Sequence, residues 1–321
     1  MASEGRLRVA VVGASGIGKH HAKWWHIEGA DVCGFVGTSP ESVARTHEAI
    51  KAMFPFSGRG YVSLDRLIEA ERPDVVDVCS PPSTHVALCR MALAAGCHVL
   101  CEKPLAFDPG QSTDTLLAEA RNLVAFAEEQ ERLFGVCTQY SVGADGFVKI
   151  WRERRGAEPI ERYHGHLEAP AKGRAADPFR IWVDLSPHLL SVLLRVAPNG
   201  RADWSTLEVR FDGYEARASF DVIAAAGTRI ACDLITRNTT QPPAHVRHFK
   251  LNGYAFVVEG ETNPEGVYGA RIETPDGDYH EADAMRLLIR GMAAGQPPAG
   301  GREALVNLEW MLRIRDAAAG T

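Results

Sequence analysis

The chain has 321 residues, of which 45% are hydrophobic and 24% charged. That suffices for two globular domains at roughly 100–200 residues each and excludes a disordered or collagen-like chain. Lys plus Arg number 35 against 41 Asp plus Glu, a formal net charge of -6, so neither nucleic acid nor an anionic membrane surface is favoured as a partner.

Residues 1–5 lead straight into an apolar strand, with no basic n-region, long apolar stretch or cleavage site. No apolar run reaches the ~18 residues of a membrane span. From residue 6 to about 136, short apolar runs alternate with stretches of helical spacing, the pattern of βαβ units around a parallel sheet. Strands are expected at 7–12, 32–36, 75–79, 98–101 and 133–136, and helices at 16–28, 40–51, 63–70, 83–95 and 110–130. Ser39 with Pro40 marks a helix start, and Ala95 with Gly96 a stop. After about residue 150, apolar residues recur at every second position, as at Tyr214, Ala216, Ala218, Phe220 and Val222. Strands are expected at 162–167, 206–211, 214–222, 228–237, 246–251, 255–259 and 270–274, then helices at about 282–294 and 302–318. Seven cysteines, an odd number with no Cys-x-x-Cys pair, read as reduced thiols of a cytoplasmic protein.

The first strand, LRVAVV, runs into GASGIGKHHA. In dinucleotide-fingerprint register Gly13 makes the tight turn and Gly18 lets the helix pack on the strand, but Ser15 stands at the middle glycine position. Gly16, one place on, still allows close backbone approach, and amides around Ser15, Gly16 and Ile17 would face a pyrophosphate with the helix dipole behind them. The alternative is a strand-to-helix turn that merely uses glycines. The flanking strand, helix and βαβ series favour the cofactor. The expected fold class is therefore α/β: an N-terminal Rossmann doubly wound parallel sheet over residues 1–130, then an α+β domain with an open, mainly antiparallel sheet over residues 131–321, whose last helices could return to the first domain. Where a binder of NAD usually places Asp or Glu after its second strand, this chain has Gly37, Thr38 and Ser39. Thr38, Ser39 and Arg45 could bond a 2′-phosphate, which tilts the expectation slightly from NAD to NADP; alternatively Ser39 is only a helix cap.

Strand four ends in CSPPSTH, with Ser80, Pro81, Pro82 and His85, and strand five in CEKPLA, with Glu102, Lys103 and Pro104. With the Gly-rich turn and AGCHVLCEKPLA, the chain resembles the glucose-fructose oxidoreductase / myo-inositol dehydrogenase family (Gfo/Idh/MocA) over nearly its whole length, Glu102-Lys103-Pro104 being the specific piece. The resemblance implies an NAD(P)-dependent oxidoreductase that moves a hydride between nicotinamide and a hydroxyl-bearing carbon of a sugar or cyclitol. It places Ser80, Pro81, Pro82, His85, Glu102 and Lys103 on the cofactor side, with His21 as a structural residue there, and implies a homodimer or homotetramer.

A residue just past a central parallel strand points into the ligand crevice of a doubly wound sheet. Lys103 is thus a candidate to orient a substrate hydroxyl and polarise its oxygen; a plain surface lysine is the alternative. Downstream, FRIWVDLSPHLLSVLL carries Asp184 and His188 at i, i+4 spacing, with Pro187 placing Asp184 in a first helical turn. The family's Gly-Gly-x-x-x-Asp-x-Gly-x-His pattern is matched at Asp184 and His188. Ile181 and its neighbours replace the glycine pair, and Ser186 and Ser191 stand where Gly and a second Asp are usual. Histidine, with a pKa near ~6.5, suits the transfer of an alcohol proton, and Asp184 could hold its tautomer or a substrate hydroxyl. The alternative is a dipole-stabilising carboxylate beside a buried structural histidine. Lys103, Asp184 and His188 together are expected to form an alcohol-oxidation site.

A short-chain dehydrogenase would need Tyr-x-x-x-Lys and a serine hydrolase Gly-x-Ser-x-Gly after a strand, and neither occurs. Around His20, His21, His164 and His166 no Cys or carboxylate cluster is expected to complete a metal-ligand set, so no metal is expected. Tyr163 and His164 are expected at a strand edge of the second domain. Two other readings share the fold: a glycosidase- or epimerase-like enzyme that oxidises its sugar transiently with bound NAD, and a non-catalytic NAD(P)-binding regulator.

Overall fold

Strand β1 (Arg8–Val12) is apolar after its first residue because both of its faces are covered: Val9, Ala10 and Val11 are wholly buried. It is the centre of one of two units into which the chain divides. The computed structural model describes residues 6–242, 245–262 and 268–320. The first unit runs up to Cys137 and includes Met285–Leu305; the second runs from Thr138 to Ala284 and resumes at Val306.

The first unit continues with α1 (Gly18–Ile27), β2 (Asp31–Val36), α2 (Pro40–Lys51), β3 (Arg59–Tyr61), α3 (Leu64–Glu71) and β4 (Val75–Val78). A short 3₁₀ turn, Pro82–Thr84, then leads into α4 (His85–Ala94), followed by β5 (His98–Glu102), α5 (Thr113–Glu129) and β6 (Phe134–Cys137). The six strands are all parallel in the order β3-β2-β1-β4-β5-β6, the doubly wound arrangement expected, with its change of winding direction between β1 and β4. Serine hydroxyls start three of the helices. Ser39 accepts from the Ser42 amide at 3.2 Å with Pro40 at the first position of α2, Ser63 caps α3, and Ser112 caps α5. The Ser112 cap is why α5 starts at Thr113 rather than at 110. Strand β3 was not expected, since Arg59–Tyr61 is short and has no buried residue.

The second unit opens with α6 (Tyr140–Arg155), β7 (Arg162–Pro170) and α7 (Pro178–Val196). There follow β8 (Arg201–Asp212), β9 (Glu215–Ile223), β10 (Arg229–Thr239), β11 (Val246–Leu251), β12 (Tyr254–Thr262), β13 (Tyr268–Thr274) and β14 (Gly277–Ala282). These eight strands form one sheet, ordered β14-β13-β12-β11-β7-β10-β9-β8 and antiparallel except where β7 meets β10. The period-two pattern is the cause. Ala216, Ala218, Phe220 and Val222 on β9, with Ile230, Cys232 and Leu234 on β10, are buried while their neighbours are not. Helix α6 packs on this face through Phe147, whose ring lies 5.0 Å from Phe249 and 4.9 Å from Phe256. Neither α6 nor β14 was expected. Tyr163 does not sit at a sheet edge, because β7 is an interior strand, and its ring is buried.

The chain closes with α8 (Ala284–Ala293) and α9 (Gly301–Ala319). In the first unit Arg286 and Arg290 both pair with Glu28 just past the end of α1. In the second unit Trp310 of α9 meets Phe220 and Trp204 edge-on. All seven cysteines are buried free thiols. Burial pushes Cys33 up to about 12 and raises Cys79, Cys97, Cys101, Cys137 and Cys232 as well. Among the described residues no helix is long and apolar enough to cross a membrane.

Candidate active site

The turn between β1 and α1 is built from two close backbone approaches. Gly13 has φ +82°, and a Cβ there would lie 2.8 Å from the Cys79 carbonyl oxygen and the Ser80 nitrogen. Only glycine lets the end of β1 lie against the end of β4. A Cβ on Gly18 would lie 2.8 Å from the Gly13 oxygen. Gly16 is the opposite case: it is exposed, and a Cβ there meets nothing within 4 Å. Open space therefore lies over Ser15, Gly16 and Ile17, all exposed, at the start of a ten-residue helix whose first carbonyl acceptor, that of Ile17, serves the amides of His20 and His21 and none earlier. Such a turn fits the pyrophosphate of a dinucleotide through backbone donors and the positive end of the helix dipole. At the end of β2, Ser39 is engaged as the cap of α2, while Thr38 and Arg45 are exposed.

The loops after β4 and β5 are tied together by His85. Its ring is wholly buried, with Nδ1 2.9 Å from the Pro104 carbonyl oxygen and Nε2 2.8 Å from that of Ser80. Burial lowers its pKa, against the pull of the two carbonyls, so a neutral ring donates to one of them at a time. His85 thus bears on a ligand only through the loops it joins. The Ser80 and Thr84 hydroxyls lie 2.7 Å apart, and Thr84 donates to the Pro81 carbonyl. At the carboxyl end of β5 the Lys103 amide donates to Glu102 Oε2 at 3.1 Å.

Beneath this edge lies a buried polar cluster that the sequence did not disclose. His21 of α1 is wholly buried, with Nδ1 3.0 Å from Asp77 Oδ2 and Nε2 3.1 Å from Glu102 Oε1. Donor atoms of His21, Asp77 and Cys137 lie within 4.8 Å of one another. The expectation that no His, Cys and carboxylate come together is thereby corrected. The groups come from α1, β4 and β6, so no spacing along the chain could reveal them. They are engaged with protein partners: Asp77 also accepts from Trp25 Nε1 at 2.7 Å, and Cys79 Sγ lies 3.3 Å from His21 Nδ1.

In the second unit α7 carries Asp184 and His188, and here the expectation for Asp184 fails. Asp177 caps the helix by accepting from the Arg180 amide at 2.9 Å, and Pro178 takes the first position. Asp184 therefore lies well inside α7, as does Pro187, which removes one ladder hydrogen bond from a helix that packing nevertheless continues. Several anchors hold α7. Tyr163 donates to the Leu189 carbonyl at 3.0 Å, Asn307 to that of Pro187 at 2.8 Å, and Trp182 to that of Met311 at 3.0 Å. Tyr163 is thus a buried anchor, while His164 pairs with Asp233 at 2.9 Å. One turn apart on one helix face, Asp184 is half-buried and His188 buried. The ring of Tyr140 stands edge-on to His188, 5.5 Å away at 89°, its phenol pushed up to about 12 by burial. Sequence reasoning missed Tyr140, although it follows closely on a parallel strand, the rule that singled out Lys103.

Residues 7–138 match the family described as "Oxidoreductase family, NAD-binding Rossmann fold". The UDP-N-acetylglucosamine 3-dehydrogenase of Acidithiobacillus ferrooxidans is 31% identical over 309 residues, covering 91% of this chain and 90% of that protein. The D-glucoside 3-dehydrogenase of Escherichia coli is 36% identical over 115 residues, 34% of this chain and 30% of that protein. Among solved structures, that of scyllo-inositol dehydrogenase from Lactobacillus casei, with bound NAD(H) and scyllo-inositol, shares the fold at a TM-score of 0.73 and 14% identity, covering 98% of each chain.

Proposed function

The chain belongs to the glucose-fructose oxidoreductase / myo-inositol dehydrogenase (Gfo/Idh/MocA) family of NAD-binding oxidoreductases, and on that premise we propose that it moves a hydride between a nicotinamide dinucleotide and a hydroxyl-bearing carbon of a sugar or cyclitol. The observation that carries this reading is the carboxyl edge of the parallel sheet. The open glycine turn after β1 and the Glu102–Lys103 turn after β5 both lie there, flanking β4. Relatives named as dehydrogenases of UDP-N-acetylglucosamine, D-glucosides and inositol support the substrate class.

In this reading Gly13, Ser15, Gly16, Ile17 and Gly18 hold the pyrophosphate, with Ser80, Pro81, Pro82 and Glu102 along the rest of the cofactor. The bound dinucleotide accepts or supplies the hydride. Lys103 donates a hydrogen bond to the substrate oxygen and polarises it. His188 takes the hydroxyl proton on oxidation and returns it on reduction, and Asp184 orients either the imidazole or a neighbouring hydroxyl. Lys103→Met and His188→Ala are expected to bind dinucleotide as the parent does, by fluorescence titration, and to lose at least ~10² in kcat on a panel of nucleotide sugars, glucosides and inositols. Near-normal kcat in both variants would remove the assignment.

For the cofactor, the absence of a carboxylate at residues 37–39 and the exposed Thr38 and Arg45 support NADP over NAD. KM values for the two should favour NADP; a tenfold preference for NAD would reverse this choice. The enzyme is proposed to work in the cytoplasm as a homodimer or homotetramer, to be checked by light scattering.

A further inference from the structure

Four side chains from three elements of the first unit converge under the Lys103 turn: Trp25 and His21 from α1, Asp77 from β4 and Glu102 from the end of β5. They form a continuous path. Trp25 Nε1 donates to Asp77 at 2.7 Å, Asp77 faces His21 Nδ1 at 3.0 Å, His21 Nε2 faces Glu102 Oε1 at 3.1 Å, and Glu102 Oε2 accepts from the Lys103 amide at 3.1 Å. Both ring nitrogens of His21 face carboxylate oxygens, which only accept when ionised. A neutral imidazole would satisfy one of them and set a lone pair against the other; the imidazolium satisfies both. Asp77 and His21 are wholly buried, so an unmatched charge here would be costly.

We propose that His21 is a positioning residue for Lys103: held as an imidazolium between Asp77 and Glu102, it fixes the Glu102 carboxylate that grips the Lys103 amide and so sets where the lysine leaves β5. The catalytic importance of that placement rests on the role given to Lys103 above. Burial alone would push the His21 pKa down, but Asp77 and Glu102 outweigh it and pull it up to about 10. Other titratable groups face the cluster: the thiols of Cys79, just past β4, of Cys101 on β5 and of Cys137 on β6, all raised by burial; His85 of α4 and His20 of α1, both lowered by burial; and the Lys103 ammonium. The ring of His21 thus lies between two carboxyl groups, one facing each of its nitrogens.

Nitrogen-15 NMR of the full chain with labelled histidine side chains reads the ring directly. The signal lost in His21→Gln is expected to show both nitrogens protonated from about pH 6 to about pH 8.5, where an ordinary histidine has lost its charge. A neutral ring at pH 7 overturns the proposal. The second readout is acetylation of Lys103 by an N-hydroxysuccinimide ester, followed by peptide mass spectrometry with the exposed Lys149 as control. Glu102→Gln and His21→Gln should each change the Lys103 rate at least about threefold and leave Lys149 alone, and the double variant should change it no further, because both break one link. Unaltered rates, or effects that multiply in the double variant, overturn the proposal. Glu102→Gln keeps the shape of a half-buried strand end, so this arm survives if His21→Gln fails to fold. One equivalent of tightly held metal in the purified protein would also overturn it, since the donors would then face the ion. Neither readout uses turnover, so a Lys103→Met variant that turns over normally would remove the catalytic reading of Lys103 and leave this result standing.

Discussion

At Gly13 one hydrogen atom in place of a methyl decides whether β1 and β4 can end side by side. Gly13→Ala would force both a left-handed backbone on a substituted residue and a contact at 2.8 Å with the Cys79 carbonyl. We expect it to cost at least about 2 kcal/mol in urea denaturation and to weaken dinucleotide binding. Gly16→Ala, with nothing within 4 Å of the added carbon, should leave stability nearly unchanged. Thr38 supports a different test. An aspartate there would repel a 2′-phosphate and accept from ribose hydroxyls, so Thr38→Asp should shift the ratio of KM values toward NAD by about tenfold. The candidate site was only partly legible in the sequence. Lys103 could be singled out because the end of a parallel strand has a known direction. His21 and Asp77 could not be paired, since α1 and β4 bring them together only in three dimensions.

Among the elements, the return of α8 to the end of α1 is the contact most open to titration. Burial alone would raise Glu28, but hydrogen bonds from Arg290 and Arg286 outweigh it and hold the carboxyl below its usual range. A depressed carboxylate stabilises the fold above its unfolded pKa, about 4.5, and that contribution disappears as pH falls through the lower folded value. Glu28→Gln should therefore cost about 1.5 kcal/mol at neutral pH and progressively less as pH falls below about 4.5, measured by denaturant melts across that range. Element prediction succeeded where one physical signal dominated. The strands β1, β2, β4, β5 and β6 are mostly apolar, with charged or polar residues confined to strand ends apart from Asp77 inside β4, and β9 and β10 alternate cleanly. Helix α6 was missed because Gly143 and Gly146 depress its propensity, although Val142, Phe147, Ile150 and Trp151 already mark a buried face. In α7, Pro187 was taken to mark an early turn, but the cap at Asp177 and the anchors from Tyr163 and Asn307 outweigh one lost hydrogen bond.

Across the whole molecule, the second unit depends on a segment that joins it only at the end of the chain. Trp310 of α9 is 5% exposed and lies against Phe220 and Trp204, at ring distances of 5.9 and 6.1 Å. Trp310→Ala should cost about 3–5 kcal/mol and lower the melting temperature measured by calorimetry. The distribution of sulfur has a further consequence. Every thiol of this chain is shielded, and burial holds most of them in the unreactive protonated form. Sulfhydryl reagents added near neutrality should find almost nothing to modify on the native protein, then all seven groups once it opens. The seven cysteines thus act as a built-in clock: the rate at which Ellman's reagent turns yellow would time the opening of the fold without any introduced probe.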